Sequence, residues 1–330
     1  MRGSALAKIK ALVTGSAGFI GFFLAKHLAE QGQEVTLCDN HARGKRDEEF
    51  NAFVTTANVR FIHADLTKKE DVEKLGNDYD YVYHLAAMNG TKYFYEIPHE
   101  VLRVNVQSTI NILEWFIKSK CKKIIFASSS ETYAGLGTVT KIPYPTPETV
   151  PLIVSDVFNP RWSYGGSKIL GELFFINYAR QYKRRVSIIR YANIYGPRMG
   201  YEHIVPEFLV RIINKENPFK IFGAEPTRTY CYVEDAVKAT RLVMESEKTD
   251  NEVINIGTDR EEITGLDLAK KMFTLFGASP ELEIHPAPKG CVMRRCPDVS
   301  KLKRLTGFES ATTLNEGLKK TYEWYKNHSQ

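Results

Sequence analysis

The chain has 330 residues, of which 43% are hydrophobic and 25% charged, and its formal net charge at pH 7 is +6. This length allows one large domain or two modest domains, and either arrangement can bury a core. The charge is mild and no long run of lysine and arginine occurs, so we expect neither a nucleic-acid partner nor a membrane partner. The five cysteines form no Cys-x-x-Cys pair, which predicts reduced thiols in a cytoplasmic protein with no disulfide framework and no bound metal.

Short β-branched and apolar runs alternate with helical patterns through the first half of the chain. The first apolar stretch, 9–23, is interrupted by three glycines, so it predicts neither a signal peptide nor a transmembrane helix. Strand–helix alternation instead predicts a parallel sheet with helices on both faces. The predicted strands are 9–14, 34–38, 59–63, 81–85, 123–128 and 186–190, and the predicted helices are 19–31, 101–118 and 164–182.

The second half of the chain is less regular. Residues 136–160 contain five prolines and little periodicity, which predicts a long ordered loop of the kind that often carries function. After residue 195 the elements become shorter and mixed, which indicates a smaller C-terminal region. The apolar run 253–256 predicts that the chain returns to the sheet there.

A glycine-rich segment, residues 14–21 (Thr-Gly-Ser-Ala-Gly-Phe-Ile-Gly), follows the first predicted strand and begins the first predicted helix. In this position Gly15 allows a tight turn, Gly18 lets a phosphate approach the backbone, and Gly21 permits close packing of the helix on the strand. The free N–H groups and the positive dipole end of the helix then face a pyrophosphate. A glycine triplet alone is a weak signal, but strand, glycines and helix in this order predict a dinucleotide site.

Asp39 lies at the end of the second predicted strand. A carboxylate there accepts hydrogen bonds from both ribose hydroxyls of an adenosine and repels a 2′-phosphate, which favours NAD over NADP. Three nearby cations leave a second interpretation open, because they either hold such a phosphate or belong to a solvated loop. These cations are Arg43, Lys45 and Arg46.

Tyr164 and Lys168 lie four residues apart on a predicted helix, so both side chains project from one face. A lysine ammonium beside a phenol favours the phenolate and lowers the pKa of the tyrosine, as a base that removes a proton from a substrate hydroxyl requires. Serines 128–130 follow the fifth predicted strand, at the end of the sheet where ligands bind. Each pattern alone is common by chance, as a surface pair or as a turn. Together they predict a catalytic group.

Several motifs follow one another in an order typical of one known family. They are the glycine segment 14–21, His84-Leu-Ala-Ala87, Asn105, the serine cluster, Tyr164-Gly-Gly-Ser-Lys168, Arg190-Tyr-Ala-Asn-Ile-Tyr-Gly-Pro-Arg198, Phe219-Lys-Ile-Phe-Gly223, residues 228–235 and residues 294–298. With these motifs the chain resembles the extended short-chain dehydrogenase/reductases of the NAD-dependent epimerase/dehydratase family, which act on nucleotide sugars. The resemblance covers nearly all of the chain, and the combination of motifs is highly specific.

The resemblance implies a catalytic group of Ser129, Tyr164 and Lys168. Tyr164 would take the proton of the C4 hydroxyl of the sugar while C4 gives hydride to NAD⁺, and Asn105 would support this network. The residues expected to contact NAD are Gly15, Gly18, Phe19, Ile20, Asp39, Asn40, Asp65, Leu66, Leu85, Ala86, Ala87, Asn105, Tyr164 and Lys168. For Asp65 the alternative is an ordinary turn at the end of the third strand.

The resemblance also implies a binding site for a nucleotide-diphosphate sugar. Asn193 would contact a phosphate of the substrate, Phe222 would contact the nucleobase, and Arg228 with Arg295 would bind the diphosphate, which suits the guanidinium fork. The alternative for each arginine is a surface ion pair. Arg294 could also bind the diphosphate instead of its neighbour Arg295. The full set of expected substrate contacts is Asn89, Asn193, Arg198, Val205, Phe222, Arg228 and Arg295.

Glu131 is an expected catalytic residue that bears on the outcome of the reaction. Ser129-Ser130-Glu131 looks more like the decarboxylases and 4,6-dehydratases of the family than like many C4 epimerases, which have a small or neutral residue there. A carboxylate beside a 4-keto sugar can move the acidic C5 proton or assist loss of a group from C5 or C6. The alternative is a structural glutamate. Ser130 replaces the aspartate of the glucose-type dehydratases, so plain 4,6-dehydration lacks its usual acid.

We therefore expect an enzyme that oxidises C4 of an NDP-sugar to a 4-keto species and then epimerises, decarboxylates or dehydrates it. A C4 dehydrogenase that releases the 4-keto sugar is an alternative. A non-catalytic NAD sensor and a reductase of an unrelated carbonyl are alternatives of other classes. The intact triad argues against the sensor, and the diphosphate-binding arginines argue against the reductase. The nucleobase, the sugar and the product stay open.

The expected fold class is α/β, a Rossmann-type doubly wound parallel sheet with a smaller mixed C-terminal substrate-binding region. Residues 8–195 are expected to bind NAD and residues 196–330 the nucleotide sugar, with part of 225–257 returning to the first domain. The helices 101–118 and 164–182 are both read as amphipathic. By the habit of the family they would pair with their copies in a homodimer.

Overall fold

A computed structural model describes residues 8–287 and 291–328 and contains one seven-stranded sheet with three smaller sheets. The strands are β1 (Lys10–Thr14), β2 (Glu34–Asp39), β3 (Val59–His63), β4 (Tyr81–His84), β5 (Lys123–Ser129), β6 (Arg185–Tyr191), β7 (Ile194–Tyr195), β8 (Phe219–Phe222), β9 (Thr227–Arg228), β10 (Cys231–Tyr232), β11 (Glu252–Ile256), β12 (Ile263–Thr264), β13 (Leu282–His285) and β14 (Arg294–Arg295).

Twelve α-helices connect or follow these strands in the part of the chain that the structure describes. They are α1 (Phe19–Glu30), α2 (Glu48–Val54), α3 (Lys69–Glu73), α4 (Thr91–Glu96), α5 (Pro98–Lys118), α6 (Glu131–Ala134), α7 (Trp162–Tyr182), α8 (Ile204–Ile213), α9 (Val233–Glu245), α10 (Gly265–Phe276), α11 (Ser300–Thr306) and α12 (Leu314–His328). None of these described helices has both the length and the apolar character needed to cross a membrane.

The central sheet has the strand order β3-β2-β1-β4-β5-β6-β11, and all neighbouring strands are parallel. In β1, Ala11 and Val13 are buried in one core cluster and Leu12 in another, because successive side chains point to opposite faces. Helices α1 and α9 cover the first face, and α5 and α7 cover the second. The strand order reverses between β1 and β4, and ligands bind at the carboxyl ends of strands at such a point.

The sheet confirms the predicted fold class. The two ends of each predicted strand lie within two residues of the ends of an observed strand. The chain also returns to the sheet as predicted, in strand β11, where Val253 lies opposite Ile188 of β6. The predicted loop contains only the 3₁₀ turn Gly135–Thr138 and an isolated bridge from Thr146. Helix α5 begins three residues earlier than predicted, at Pro98. Proline fits the first turn of a helix, because a backbone N–H at that position would have no hydrogen-bond partner within the helix.

The prediction that α7 is amphipathic is wrong. The helix buries several polar side chains: Ser163, Tyr164, Ser167, Lys168 and Glu172. By contrast, Leu170 and Leu173 are 42% and 52% exposed. The physical reason is that the buried face of α7 borders a polar site at the end of the sheet, so burial in this helix does not follow hydrophobicity.

The small C-terminal sheets bring distant basic residues together. In the sheet β12-β9-β14, strand β14 runs parallel to β9, and Arg295 lies opposite Arg228. Strands β8 and β13 form a parallel pair, and β7 and β10 form another. Two arginines that are far apart in sequence therefore lie side by side.

Candidate active site

A cleft of about 750 Å³ lies where the strand order of the central sheet reverses. Its wall begins at the glycine segment before α1, continues past the carboxyl ends of β2, β4 and β5, and ends at Arg228 and Arg295. A second cavity of about 220 Å³ shares Asn193, His203 and Arg228 with this cleft. The volume of the cleft lies within the range of cofactor and small-ligand pockets, about 300–1,000 Å³.

The glycine segment leaves the beginning of α1 open to an anion. Gly18 is the N-cap residue of α1, and no side chain caps this helix. A Cβ added at Gly21 would lie 2.1 Å from the carbonyl oxygen of Gly15, so only glycine allows this close approach of helix and turn. The N–H groups at the helix N-terminus therefore stay available at the cleft, which fits the diphosphate of a dinucleotide.

Asp39 ends β2 and is oriented by two backbone N–H groups. Its Oδ2 accepts from Ala17 at 3.0 Å, and its Oδ1 accepts from His41 at 2.7 Å. The three nearby cations each have another partner: Arg43 lies over Tyr93, Lys45 lies over Tyr201, and Arg46 donates to Asn51. The end of β2 is thus marked by a carboxylate, and this arrangement favours NAD over NADP.

The other residues predicted to contact NAD line the same cleft, with one exception. Those that line it are Gly15, Gly18, Phe19, Ile20, Asn40, Asp65, Leu66, Leu85, Ala86, Ala87, Tyr164 and Lys168. Asn105 does not line the cleft, because its Oδ1 accepts from Met88 N at 2.6 Å and its Nδ2 donates to Met88 O and to Ser167 Oγ. Asn105 therefore holds the segment after β4 against α7 as a positioning residue. Asp65 also accepts from the N–H and hydroxyl of Thr67 in a local turn.

Tyr164 and Lys168 lie one turn apart on α7, and both line the cleft. Lys168 is buried, and its Nζ donates to the carbonyl oxygen of Ala127 on β5 at 2.7 Å. Burial lowers the pKa of Lys168 to about 7, so its charge changes near neutral pH. Ser129 ends β5 in the same cleft, and its Oγ accepts from the N–H of Glu131 at 3.2 Å.

The pKa of Tyr164 moves in the direction opposite to the one predicted from the sequence. Burial raises it and the carboxylate of Glu131 raises it further, while a hydrogen bond with Ser129 acts against this shift. A smaller opposing contribution comes from the positive charge of Arg43. Lys168 lies beside the same ring, with its Nζ 5.6 Å from the centroid, and donates to the carbonyl oxygen of Ala127. Tyr164 is therefore a neutral phenol that needs additional positive charge nearby before it can act as a base.

Glu131 begins α6 and lies between two arginines. Its Oε1 is 2.6 Å from Arg295 Nη2, and its Oε2 is 3.4 Å from Arg161 Nη2. Burial alone would raise the pKa of Glu131, but these guanidinium groups, with a smaller contribution from Arg228, bring it below its usual value. Glu131 is therefore an anion at neutral pH within a cationic group.

Arg161 is a functional candidate that the sequence analysis missed. It precedes α7 directly, three residues before Tyr164. The Nε atoms of Arg161 and Arg295 are buried and have no hydrogen-bond partner among the residues that the structure describes. Buried donors without partners beside a cleft indicate a group supplied by a ligand. The i,i+3 spacing of Arg161 and Tyr164 is the signal that could have revealed this residue.

The residues predicted to bind the nucleotide sugar divide between the two cavities. Asn193, Val205, Phe222 and Arg228 line the smaller cavity, and Asn89, Asn193, Arg198, Arg228 and Arg295 line the cleft. Phe222 is 58% exposed and stacks on His285 with ring centroids 4.7 Å apart. Its position in the smaller cavity is consistent with a contact to a nucleobase.

Arg198 differs from the other predicted substrate ligands. Its side chain is 2% exposed, and its Nη1 pairs with Asp47 at 2.5 Å and with Glu49 at 3.0 Å. Its guanidinium also lies over the ring of Phe22, 4.0 Å from the centroid. The charge of Arg198 is thus neutralised inside the protein, where it ties the segment after β7 to α2.

Arg294 was the alternative to its neighbour Arg295 as a ligand of the diphosphate. Its Nε lies 2.7 Å from Glu262, so its charge has a partner away from Glu131. Arg295 is the arginine that reaches Glu131 and the cleft.

Comparison with known proteins agrees with this geometry. A model of the NAD dependent epimerase/dehydratase family matches residues 11–257. A UDP-N-acetyl-alpha-D-glucosaminuronate decarboxylase of Bacillus cytotoxicus is 35% identical over 97% of this chain and 98% of its own length. A solved UDP-glucose 4-epimerase of Thermotoga maritima has a TM-score of 0.86 and 33% identity over 98% of this chain and 100% of that one.

A second solved structure carries both kinds of ligand. It is a UDP-glucuronic acid 4-epimerase of Bacillus cereus in complex with UDP-glucuronic acid and NAD, with a TM-score of 0.86 and 26% identity over 97% of this chain and 100% of that one. The cofactor of the present chain is NAD, and the chain is an enzyme that modifies nucleotide sugars. It belongs to the NAD-dependent epimerase/dehydratase family.

Proposed function

We propose that this enzyme oxidises C4 of a UDP-linked hexuronate and then removes the carboxyl group of the sugar as carbon dioxide. The observation that carries this proposal is the group formed by Glu131, Arg161, Arg228 and Arg295 at one end of the cleft. Three guanidinium groups surround one carboxylate, which leaves an excess of positive charge. That charge suits a substrate whose sugar is anionic in addition to its diphosphate.

The first step is the oxidation of C4. Bound NAD supplies a hydride acceptor and a positive charge. Tyr164, its pKa lowered by that charge, takes the proton of the C4 hydroxyl, and Ser129 holds the same oxygen by a hydrogen bond. Lys168, one turn from Tyr164, stabilises the phenolate when it carries its own proton.

The second step is the loss of carbon dioxide. With a ketone at C4 the uronate is a β-keto acid, so the C5–C6 bond can break and its electron pair passes to C5 and the C4 oxygen. Tyr164 and Ser129 donate hydrogen bonds to that oxygen as its negative charge develops. C5 then takes a proton from water. The hydride that bound NAD accepted in the first step would return to C4, and Tyr164 would give its proton back to the C4 oxygen, which restores the C4 hydroxyl. The net reaction consumes one proton and releases one carbon dioxide.

The arginine group has a separate task in this step. Arg161 and Arg295 hold the sugar carboxylate, and their buried Nε donors are available for it. Glu131, which is ionised between them, opposes the negative charge of that carboxylate. Departure of neutral carbon dioxide relieves this repulsion.

The same electrostatics argue against dehydration. Loss of the C6 hydroxyl needs a proton donor, and Ser130 is a buried neutral side chain. The lowered pKa of Glu131 keeps it ionised, so it does not serve as that acid. A uronate 4-epimerase would use the same arginines without losing carbon dioxide, and product analysis separates these two outcomes.

The comparisons support a UDP-uronate as the substrate class. The relative from Bacillus cytotoxicus is named for UDP-N-acetyl-α-D-glucosaminuronate, and the solved Bacillus cereus enzyme holds UDP-glucuronic acid. We infer that the first of these is the better candidate, because that relative shares more of its sequence with the present chain.

Product analysis of the purified enzyme tests the proposed function. UDP-N-acetylglucosaminuronate, UDP-glucuronate and UDP-glucose are incubated separately, and the products are read by mass spectrometry. We expect a product lighter by the mass of carbon dioxide from a uronate, and no such loss from UDP-glucose. A uronate product of unchanged mass with an inverted C4 centre would contradict decarboxylation and establish an epimerase.

We also propose that residues 8–195 bind NAD and that residues 196–330 bind the nucleotide sugar together with Ser129, Glu131 and Arg161 of the first region. We further propose that the enzyme is a homodimer. Leu170 and Leu173 of α7 and Leu102 of α5 are exposed apolar side chains on the two long helices. A second copy of the chain would cover them. Replacement of Leu170 and Leu173 by lysine should shift the sedimentation coefficient to that of a monomer, and an unchanged dimer would contradict this surface.

A further inference from the structure

The short helix α4 packs an aromatic side chain against the proposed base. Phe94 of α4 and Tyr164 of α7 stack with ring centroids 5.3 Å apart and an angle of 17° between the ring planes. Both side chains are buried, and they form one small apolar cluster with Val101 of α5. Both also line the cleft. The ring of Tyr164 therefore faces a hydrocarbon surface on this side rather than water.

The segment that carries Phe94 is held against the two long helices. Before α4, the N–H of Met88 donates to Asn105 Oδ1 at 2.6 Å, and the carbonyl oxygen of Met88 accepts from Asn105 Nδ2 at 3.1 Å. After α4, the N–H of Ile97 donates to the carbonyl oxygen of Tyr93 at 3.0 Å, and α5 begins at the next residue. Because α5 packs along α7, these contacts fix the position of Phe94 relative to Tyr164.

The other side chains of α4 have different surroundings. Tyr95 is 49% exposed, and Tyr93 packs at the edge of the apolar cluster. The two charged residues of the helix, Lys92 and Glu96, are exposed and lie 3.9 Å from each other. Phe94 is thus the side chain of α4 that stacks on the base, and this helix brings no charge to it.

The charged groups near the phenol come from other elements. Glu131 of α6 raises the pKa of Tyr164, and Arg43 of the loop after β2 lowers it. Lys168 Nζ lies 5.6 Å from the ring centroid of Tyr164, and Arg161, directly before α7, pairs with Glu131. Charges act more strongly across an apolar medium than across water. An apolar cover on the ring therefore strengthens the effect of every nearby charge, including that of a bound nicotinamide.

We propose that Phe94 is a positioning residue, which holds the ring of Tyr164 and excludes water from it so that the phenol responds to the positive charge of bound NAD. The phenol then keeps its proton when that charge is absent and becomes a base when the oxidised cofactor is present. This inference rests on the proposed role of Tyr164 as the base. It is independent of which sugar the enzyme uses and of the fate of the ketone.

Titration of the tyrosinate absorbance of the holoenzyme tests this inference. The pKa of Tyr164 is read from the difference between each enzyme and the same enzyme carrying Tyr164→Phe, once with NAD⁺ bound and once with NADH bound. We call the difference between these two pKa values the cofactor shift. The pKa should be lower with NAD⁺, because its positive charge favours the phenolate. In Phe94→Ala we expect the cofactor shift to decrease by about one pH unit, because water beside the ring screens that charge.

Two further variants at the same position separate water exclusion from loss of the fold. Phe94→Gln brings a polar group of similar length to the ring, so it should decrease the cofactor shift as Phe94→Ala does. It also serves if Phe94→Ala does not fold. Phe94→Leu keeps an apolar side chain and should retain most of the shift. With a nucleotide sugar that the enzyme converts, kcat of Phe94→Ala should fall about tenfold while KM changes little, since the base is less well placed.

Tyr95→Ala is the matched control. It removes an exposed aromatic side chain from the same helix, so we expect the cofactor shift and the turnover of the unmodified enzyme. An equal decrease of the cofactor shift in Tyr95→Ala would overturn the inference, because it would show a general loosening of α4.

Other results would also contradict the inference. One is an unchanged cofactor shift in Phe94→Ala and Phe94→Gln. Another is a raised KM with an unchanged cofactor shift, which would make Phe94 a contact of the sugar. If the unmodified enzyme shows no cofactor shift, the proposed base itself fails and this inference fails with it. A normal shift that survives in the Phe94 variants contradicts only the role of Phe94.

Discussion

The two ends of the cleft are built in different ways. At the cofactor end, the glycine segment and Asp39 lie close together in sequence and present mainly backbone N–H groups and one carboxylate. At the sugar end, Glu131, Arg161, Arg228 and Arg295 come from distant segments and present only side chains. We therefore propose that the cofactor end serves the oxidation of C4, whereas the side chains of the sugar end decide the fate of the ketone.

The largest expected effect separates chemistry from cofactor binding. Tyr164→Phe removes the base but keeps the ring that stacks on Phe94, so the fold of this region should persist. We expect turnover to fall by about 10³-fold, since a general base contributes about 10²- to 10⁴-fold. Product formation is measured by chromatography, and bound NAD is measured per chain after denaturation. Turnover close to that of the unmodified enzyme would contradict the proposed role of Tyr164.

The next prediction separates the two chemical steps. Glu131→Gln keeps the shape of the side chain but removes the charge that opposes the sugar carboxylate. We expect release of carbon dioxide to slow about 10²-fold, while C4 oxidation persists and NADH absorbance accumulates on addition of a UDP-uronate. Stopped-flow absorbance and carbon dioxide release are followed together. If both steps fall equally, Glu131 acts on the first step or on the structure.

This difference between the ends also explains what could be predicted from the sequence. The strands, the glycine segment and Asp39 follow from local patterns, so the fold and the cofactor end are visible in one short stretch. The sugar end depends on which charges meet after folding. Arg161 was missed because its partner Glu131 is 30 residues away. The ion pairs of Arg198 with Asp47 and Glu49 join residues 151 and 149 positions apart, so the sequence did not reveal them either.

The same limit applies to the pKa of Tyr164. The spacing from Lys168 correctly places the two residues on one helix face, but the direction of the pKa shift depends on burial and on the nearby carboxylate of Glu131. Neither is a property of the spacing. A sequence pattern therefore identified the pair without giving its protonation state.

A third prediction concerns Lys168, which lies between the two ends. Its pKa in the folded cofactor-free protein is about 7 against an ordinary value of 10.5, so the folded state binds fewer protons than the unfolded state between these values. The destabilisation that this causes is fully present below pH 7 and fades as the pH rises to 10.5. Lys168→Met should therefore be more stable than the unmodified protein, on the order of a few kcal/mol at pH 7 and below.

Urea unfolding of the cofactor-free protein at several pH values measures this effect. The difference between Lys168→Met and the unmodified protein should shrink as the pH rises from about 7 towards 10.5. Lys118→Met, which replaces an exposed lysine of α5, is the control and should show no such trend. A difference that stays constant with pH would show that burial does not displace the pKa of Lys168.

The smallest expected effect tests whether the two ends act independently. Asp39→Asn keeps an oxygen that can accept from Ala17 or His41 but removes the charge at the end of β2. We expect NAD to bind about tenfold more weakly, and NADP to gain relative to NAD because repulsion of the 2′-phosphate is lost. Dissociation constants for both dinucleotides and for UDP are measured by calorimetry.

Because the change lies at the cofactor end, the ratio of carbon dioxide released to sugar consumed should stay constant. A change in that ratio would mean that the position of the dinucleotide also influences the fate of the ketone. The cofactor end and the sugar end would then not act independently.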